Sequence, residues 1–177
     1  VFSLSGEKVT LEEDFSDPQQ VTVTPEAVPS NEGDQTVTYS LSPTAVDFAS
    51  VSIDSSTGQV TISAVSNGNG TQVFTLTADD GQTANNTATQ TFTLTVNAAN
   101  DAPTGMTLDT NRVNENESSG TTVGTLSAAD VDTNEAHTYS LVNGSGATDN
   151  ASFTISGLSL KTAATFDYET KSSYNLR

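Results

Sequence analysis

The sequence predicts an all-β protein made of two tandem antiparallel Greek-key β-sandwiches, the second of which is incomplete at its C-terminal end. Apolar residues alternate with Thr, Ser or Gln through most of the first hundred residues, and no segment keeps the helical period over a helical length. The 177 residues include 30 Thr and 22 Ser, and Thr is common in half-exposed strands. Together with an internal repeat, these observations favour sandwiches over helical or disordered structure.

Seven short strands are predicted in the first hundred residues. Turn signals such as Asp54-Ser55-Ser56-Thr57-Gly58 and Asn67-Gly68-Asn69-Gly70 separate them, because Gly and Asn tolerate positive φ. Short strands at such regular spacing are typical of an antiparallel sandwich with an immunoglobulin-like layout. In chain order, the predicted strands run near residues 9–11, 20–24, 36–41, 51–53, 59–62, 73–78 and 90–96.

The second sandwich is predicted from the internal repeat. Thr38-Tyr39-Ser40-Leu41 recurs as Thr138-Tyr139-Ser140-Leu141, and Phe74-Thr75-Leu76-Thr77 aligns with Tyr174-Asn175-Leu176-Arg177 at the same offset of 100 residues. The connection before Pro103 contains no glycine, and the proline restricts the backbone there. We therefore expect a first repeat at residues 1–99, a linker at residues 100–103 and a second repeat at residues 104–177.

The second repeat is expected to lack its last strand. In the first repeat a whole strand follows the Phe74 strand, whereas the sequence ends at Arg177, within the aligned segment. An open sandwich exposes core residues and strand edges. We therefore expect either that the chain is a piece of a longer one or that a neighbouring chain lends a strand.

The charge of the chain excludes several classes of partner. With 22 acidic and 5 basic side chains the formal net charge is -17, and nucleic acids or anionic membrane surfaces require a basic patch. The absence of cysteine rules out disulfide scaffolds, zinc–thiolate sites and thiol catalysis. No run of about 18 apolar residues occurs, so direct membrane insertion is not expected. The composition favours a secreted or cell-surface protein, and we expect an extracellular location.

Acidic residues cluster at the predicted ends of the sandwiches. Two carboxylates about 4 Å apart repel by about 4 kcal/mol at an effective dielectric of about 20. A hard cation that takes oxygen ligands removes this repulsion, and Ca²⁺ fits best. If the linker brings the end of the first repeat against the start of the second, the converging residues are Glu13, Asn100, Asp101, Asp130 and Asp132.

The motifs of the second repeat resemble those of a cadherin repeat. In order they are Val113-Asn114-Glu115-Asn116, Ala128-Ala129-Asp130, Asp130-Val131-Asp132 and Phe166-Asp167-Tyr168-Glu169, with Asp167 and Glu169 in place of the L-D-x-E motif. The linker is similar to the N-D-A-P connector of bacterial cadherin-like repeats. The first repeat keeps Glu13 but has neither L-D-x-E nor D-x-D, and it resembles the cadherin-like or immunoglobulin-like repeats of large bacterial surface adhesins.

The resemblance implies a function for these residues. Calcium would stiffen the joint between tandem repeats, and the rod of repeats would serve as an extender or adhesion segment of a larger protein. Implied partners are neighbouring repeats of the same chain, a cell-surface protein or glycan, and a second copy in homophilic contact. The implied ligands are Glu13, Asn100 and Asp101 on the first repeat and linker, Asp130, Asp132 and Asn134 on the second repeat, and Glu115, Asp167 and Glu169 toward a third repeat.

Two other functions are compatible with parts of the sequence. Carbohydrate binding is the alternative, since some bacterial cadherin-like repeats accompany polysaccharide-degrading enzymes, but the chain has no Trp and 6% aromatic residues. A hydrolase with paired carboxylates is disfavoured because no Arg, Trp or cleft-forming insertion accompanies the acidic pairs. His137 takes the position of Val37 in the first repeat, which predicts a strand position rather than catalysis. We therefore expect no enzymatic activity.

Overall fold

The computed structural model describes residues 1–27, 35–83 and 86–177, and strands are its regular structure apart from one short 3₁₀ turn. The chain divides into two compact units, Val1–Ala99 and Asn100–Arg177. The predicted all-β sandwich fold is confirmed.

The first unit contains three sheets among the described residues. One sheet has the order β2-β9-β8-β5, a second has the order β3-β7-β6, and β1 pairs with β4. The strands are β1 Phe2–Leu4, β2 Lys8–Glu12, β3 Gln19–Val21, β4 Val23–Pro25, β5 Thr38–Ser42, β6 Ala49–Ile53, β7 Val60–Ala64, β8 Gly70–Asp79 and β9 Thr87–Asn97.

The core of the first unit lies on the inner faces of its long strands. Phe74 and Leu76 on β8 are fully buried, as is Leu94 on β9, while the Thr residues between them face outward. The rings of Phe74 and Phe92 stack with centroids 5.2 Å apart. Burial of each such side chain contributes about 1.5–3 kcal/mol, which explains why alternation in the sequence specifies these strands.

Two features of the first unit differ in detail from the sequence expectation. The single strand expected near residues 20–24 is two strands, because β3 pairs with β7 and β4 pairs with β1. At the break, the Thr22 N–H donates to Ser5 Oγ at 2.9 Å.

The second difference is that β2 pairs with β9 in parallel, with Lys8 opposite Thr93 and Glu12 opposite Asn97. Alternation gives no strand direction, and the long separation in sequence permits a parallel pair.

The second unit is smaller, and its described strands form one four-stranded sheet. Its four described strands are β10 Gly105–Leu108, β11 Thr122–Ala129, β12 Phe153–Ser156 and β13 Ser159–Thr162, in the sheet order β10-β11-β13-β12. A short turn of 3₁₀ helix, Asn150–Ser152, precedes β12. Its core cluster of buried residues is Val123, Phe153, Leu160 and Phe166, against fourteen buried residues in the first unit, so the second core is much less enclosed.

The prediction of a strand position for His137 is wrong. The residue lies outside the strands, as does its counterpart Val37, because β5 begins at Thr38. Among the described residues, the equivalent segment of the second unit makes one backbone hydrogen bond to its neighbour, from Val142 N–H to Arg177 O at 2.7 Å. A single bond does not make a ladder, so the strand of the first unit is not reproduced.

Candidate metal-binding residues

Glu13 is a buried carboxylate that follows β2 in the first unit, with 7% of its surface exposed. Its Oε1 accepts a hydrogen bond from the Ala99 N–H at 2.7 Å, and its Oε2 accepts one from Asn69 Nδ2 at 3.1 Å. A carboxylate offers about four lone-pair sites, so about two remain. Within the described part of the chain no Lys, Arg or His lies within ion-pair distance of Glu13. The side chain is therefore fixed in place and retains capacity for a cation.

Asn69 is a polar neighbour of Glu13 that sequence reasoning missed. Asn67 and Asn69 align with Asp167 and Glu169 at the offset of 100 residues, which is the signal that could have found them. Asn69 Nδ2 donates a hydrogen bond to Glu13. The amide oxygen of Asn69 is therefore the atom of this side chain that can accept a hydrogen bond or bind a cation. The first unit thus carries amides where the second unit carries carboxylates.

A chain of hydrogen bonds connects three acidic residues in the second unit. The Asp101 N–H donates to Asp132 Oδ2 at 2.6 Å, and the Asp132 N–H donates to Asp130 Oδ1 at 3.1 Å. These bonds orient the Asp130 and Asp132 carboxylates through backbone donors and leave other oxygens available. The predicted D-x-D turn therefore holds its two aspartates by local geometry.

The second carboxylate oxygen of Asp130 is the most unusual atom of this group. The Asp130 side chain is 3% exposed, and among the described residues its Oδ2 is buried without a hydrogen-bond partner. His137 Nε2 lies 3.8 Å away, which is beyond hydrogen-bond distance. A buried acceptor without a partner costs about 1–3 kcal/mol, and more if it is charged. An oxygen-binding cation such as Ca²⁺ would relieve this cost, so the donor set fits that ion.

Asn100 and Asn134 occupy different situations. Asn100 is exposed and uses its Nδ2 to donate to Asp101 O at 2.7 Å, which leaves its amide oxygen for other partners. Asn134 is exposed with φ of 68°, a conformation that Asn tolerates better than most residues. In the described residues no hydrogen bond joins the Asn134 side chain to Asp130 or Asp132.

Glu115, Asp167 and Glu169 form a second acidic cluster, which lies wholly in the second unit. One carboxylate oxygen from each lies within 4.8 Å of the others, and all three residues are exposed. The Tyr168 N–H donates to Glu115 Oε2 at 2.9 Å. The Thr170 hydroxyl, which donates to Asp167 Oδ2 at 2.9 Å, is the main cause that lowers the Asp167 pKa below its ordinary value of 3.8. The turn therefore keeps Asp167 ionised and close to two like charges.

Part of the chain matches a known protein family. Residues 109–177 match the family model described as Cadherin domain. They form a cadherin-like repeat. The expected resemblance of the second repeat is thereby confirmed, and this cadherin-like repeat contains the Glu115 cluster and the Asp130-Val131-Asp132 turn. No curated protein sequence matches the chain.

Solved structures of cadherin repeats resemble the chain over both units. Human Protocadherin-24 EC1-2 has a TM-score of 0.65 at 18% identity, over 93% of this chain and 77% of that one. Mouse Cadherin-23 EC22-24 has a TM-score of 0.56 at 20% identity, and the match covers 96% of this chain and 56% of that one. The Protocadherin gammaB7 EC3-6 cis-dimer structure has a TM-score of 0.57 at 19% identity, and the match covers 97% of this chain and 43% of that one. At these identities the likeness shows the fold.

Proposed function

We propose that the chain is a calcium-binding tandem-repeat module that acts as a rigid extender or adhesion segment of a larger extracellular protein. The observation that carries the proposal is the buried Asp130 Oδ2, which lacks a hydrogen-bond partner among the described residues. Asp130 and Asp132 are held by backbone donors, and oxygen ligands of this kind suit Ca²⁺. Bound Ca²⁺ would supply the positive charge that these carboxylates lack.

The covalent chain supports a shared site for ligands from both repeats. Glu13 is bonded to the amide of Ala99, and Asp132 is bonded to the amide of Asp101. Two residues of extended backbone span about 7 Å at most, so the chain limits how far apart these two anchoring amides can lie. We assign Glu13, Asn100, Asp101, Asp130 and Asp132 to this site, with Asn134 as an outer ligand.

A second site is proposed at Glu115, Asp167 and Glu169. Their carboxylate oxygens lie close together, and a cation would remove the repulsion among them. Each residue is exposed, so other ligands have room to complete the coordination shell. We propose that a further repeat supplies them, as the resemblance to cadherin repeats implies.

The role as an extender follows from the repeat architecture. Tandem sandwiches whose joints are stiffened by an ion form a rod, and the similar structures contain two or more cadherin repeats. Neighbouring repeats are therefore the first partners. Contact between two copies is a further proposal, supported by the cis-dimer of the similar Protocadherin gammaB7 fragment. No helix of the described residues is long and apolar enough to cross a membrane.

Calorimetric titration of the full chain with CaCl₂, after chelation, tests the calcium sites. We expect binding with a Kd of about 10⁻⁴ to 10⁻³ M, as for extracellular modules. Asp130→Asn should weaken binding about tenfold or more at the first site, because it removes the buried charge. The matched control is Asp17→Asn, which replaces an exposed carboxylate outside both clusters. This variant should bind Ca²⁺ as the native chain does.

The same titration can contradict the proposal. Equal affinity for the native chain and for Asp130→Asn, or no heat of binding at millimolar Ca²⁺, would remove Asp130 as a ligand. Glu169→Gln tests the second cluster separately, and it should reduce the number of bound ions without changing the affinity of the Asp130 site.

A further inference from the structure

His137 and Asp130 lie opposite each other within the second unit. His137 Nε2 is 3.8 Å from Asp130 Oδ2, and the two side chains are 23% and 3% exposed. Asp130 Oδ2 is buried without a hydrogen-bond partner among the described residues, and the His137 ring makes no hydrogen bond there either. Imidazole nitrogen and carboxylate oxygen both bind metal ions. Two potential metal ligands therefore stand opposite each other, and hydrogen bonds occupy neither of them.

The distance between these two atoms separates a bridging ion from a direct hydrogen bond. A hydrogen bond from an imidazole N–H to an oxygen spans about 2.7–3.2 Å, which is well below the observed 3.8 Å. Zn²⁺ lies about 2.0–2.2 Å from imidazole nitrogen and carboxylate oxygen, so two ligands of one tetrahedral ion are about 3.4 Å apart. The observed separation is therefore closer to that of two metal ligands than to that of a hydrogen-bonded pair.

The nitrogen ligand limits the class of ion that fits the pair. Ca²⁺ and Mg²⁺ are hard cations that take oxygen ligands, whereas imidazole suits Zn²⁺, Cu²⁺ and Ni²⁺. A carboxylate oxygen is a ligand for Zn²⁺ as well. The combination of one imidazole and one carboxylate therefore favours a divalent transition metal.

The turn around Asp130 holds its carboxylate in place for such an ion. Asp130 Oδ1 accepts the Asp132 N–H at 3.1 Å, so the carboxylate is oriented while Oδ2 faces the imidazole. Hydrogen bonds of this kind orient the ligands of metal sites. In the part of the chain that the structure describes, no third carboxylate joins this pair within 4.8 Å. Water would therefore fill the remaining coordination positions, from the partly exposed side of His137.

We propose that Asp130 and His137 form a binding site for a divalent transition metal ion, with Asp130 Oδ2 and His137 Nε2 as the two protein ligands. The ion gives the buried oxygen a positively charged partner. Asp130 is also a ligand of the calcium site proposed above, and one consequence rests on that proposed function: Ca²⁺ and the transition metal compete for Asp130. Binding of the transition metal itself does not depend on the calcium site.

Titration of the untagged full chain with ZnCl₂, after chelation and without Ca²⁺, tests the site. His137 is the one histidine of the sequence, so its imidazole signals in the NMR spectrum are identified without ambiguity. We expect these signals to shift until the site is saturated with Zn²⁺. Paramagnetic Co²⁺, added as CoCl₂ in place of Zn²⁺, should broaden the same signals. Imidazole signals that stay unchanged while calorimetry shows Zn²⁺ binding would overturn the proposal, because the ion would then lie elsewhere.

His137→Val is the decisive variant, because Val37 takes the equivalent position in the first repeat. It should weaken the binding of Zn²⁺ at this site by about tenfold or more, since a ligand is lost, and leave the affinity for Ca²⁺ unchanged. His137→Gln should do the same, which separates loss of the ligand from any effect of Val on folding. The control is Asp17→Asn, which should bind Zn²⁺ as the native chain does.

The two metal proposals fail in different ways. Equal affinity for Zn²⁺ in the native chain and in both His137 variants would overturn the transition-metal site, whatever the result with Ca²⁺. Zn²⁺ binding that depends on His137, in a chain that shows no heat of binding with Ca²⁺, would support the transition-metal site and contradict the calcium proposal. When both ions bind, excess CaCl₂ should displace Zn²⁺ and return the imidazole signals to their metal-free positions.

Discussion

Individual acidic residues of this chain satisfy their oxygens in two different ways. Asp54, Asp109 and Asp149 accept hydrogen bonds from nearby backbone or side-chain groups, which lower the pKa of each below the ordinary 3.8. Asp130 instead keeps one buried oxygen that has no hydrogen-bond partner among the described residues. The first kind stabilises turns without an ion, whereas the second kind is the one that the calcium proposal explains.

Asp109 gives a residue-scale prediction about pH. Its Oδ1 accepts the Thr125 N–H and the Thr110 N–H, both at 2.6 Å, and the first of these bonds is the largest cause that lowers its pKa. Because the folded pKa lies below the unfolded value, this stabilisation is present above about pH 4 and is lost as the pH falls below it. Asp109→Asn should lower the Tm of the second unit at pH 7 and have little effect near pH 2.

Thermal unfolding of both proteins at the two pH values checks this expectation. Asp17→Asn serves as the control, since it removes one exposed charge elsewhere and should leave the Tm unchanged at pH 7. An Asp109→Asn effect of the same size at both pH values would show that the charge of Asp109 contributes nothing.

At the scale of strands, the β8–β9 hairpin dominates the first unit. Ten residue pairs join the two strands, from Gly70 opposite Val96 to Asp79 opposite Thr87. The stacked rings of Phe74 and Phe92 lie on its inner face. Loss of one ring leaves a cavity that this close-packed core cannot fill.

Phe92→Ala should destabilise the first unit by about 3–5 kcal/mol, the usual cost of truncating a buried Phe. Thr91→Ala, on the exposed face of the same strand, is the matched control and should cost less than about 1 kcal/mol. Urea unfolding monitored at each unit measures both effects. Equal destabilisation by the two substitutions would contradict the assignment of Phe92 to the core.

The strands show which parts of the fold could be predicted from sequence. Alternation located β5 and β7 to within a few residues, because the buried face of each strand repeats at period two. The alternation of apolar and polar residues did not predict β1, because three residues are too few to show a repeat of two. It could not give the parallel direction of β2 against β9, which depends on tertiary packing. In the second unit, the motif predicts Asp130 and Asp132 as candidate ligands, but only the three-dimensional structure shows that Asp130 Oδ2 lacks a partner among the described residues.

At the scale of the whole molecule, negative charge is unevenly distributed. Residues 1–99 contain 12 acidic side chains and one basic side chain. Residues 100–177 contain 10 acidic and four basic side chains. Self-repulsion of this size destabilises compact states and is screened by salt over about 8 Å at physiological ionic strength. Specific binding of Ca²⁺ and general screening by salt must therefore be separated in any experiment.

Removal of calcium should lower the stability of the chain and loosen the joint between its repeats. At a tenfold excess of Ca²⁺ over Kd, one site contributes about 1.4 kcal/mol, which corresponds to a Tm shift of roughly 5–10 °C for a small unit. Calorimetric melting and small-angle X-ray scattering with and without chelator measure the two effects. NaCl at matched ionic strength is the control, and identical curves with Ca²⁺ and with NaCl would refute a specific role of calcium.

The parallel pairing of β2 with β9 has a mechanical consequence for the first unit. Five residue pairs, from Lys8 opposite Thr93 to Glu12 opposite Asn97, join a strand near the start of the unit to the strand at its end. A pulling force applied to residues 1 and 99 loads these bonds in shear, so they resist together instead of breaking one after another. Single-molecule stretching should therefore show one high-force rupture for this unit, and Val9→Pro, which interrupts the pairing, should lower that force.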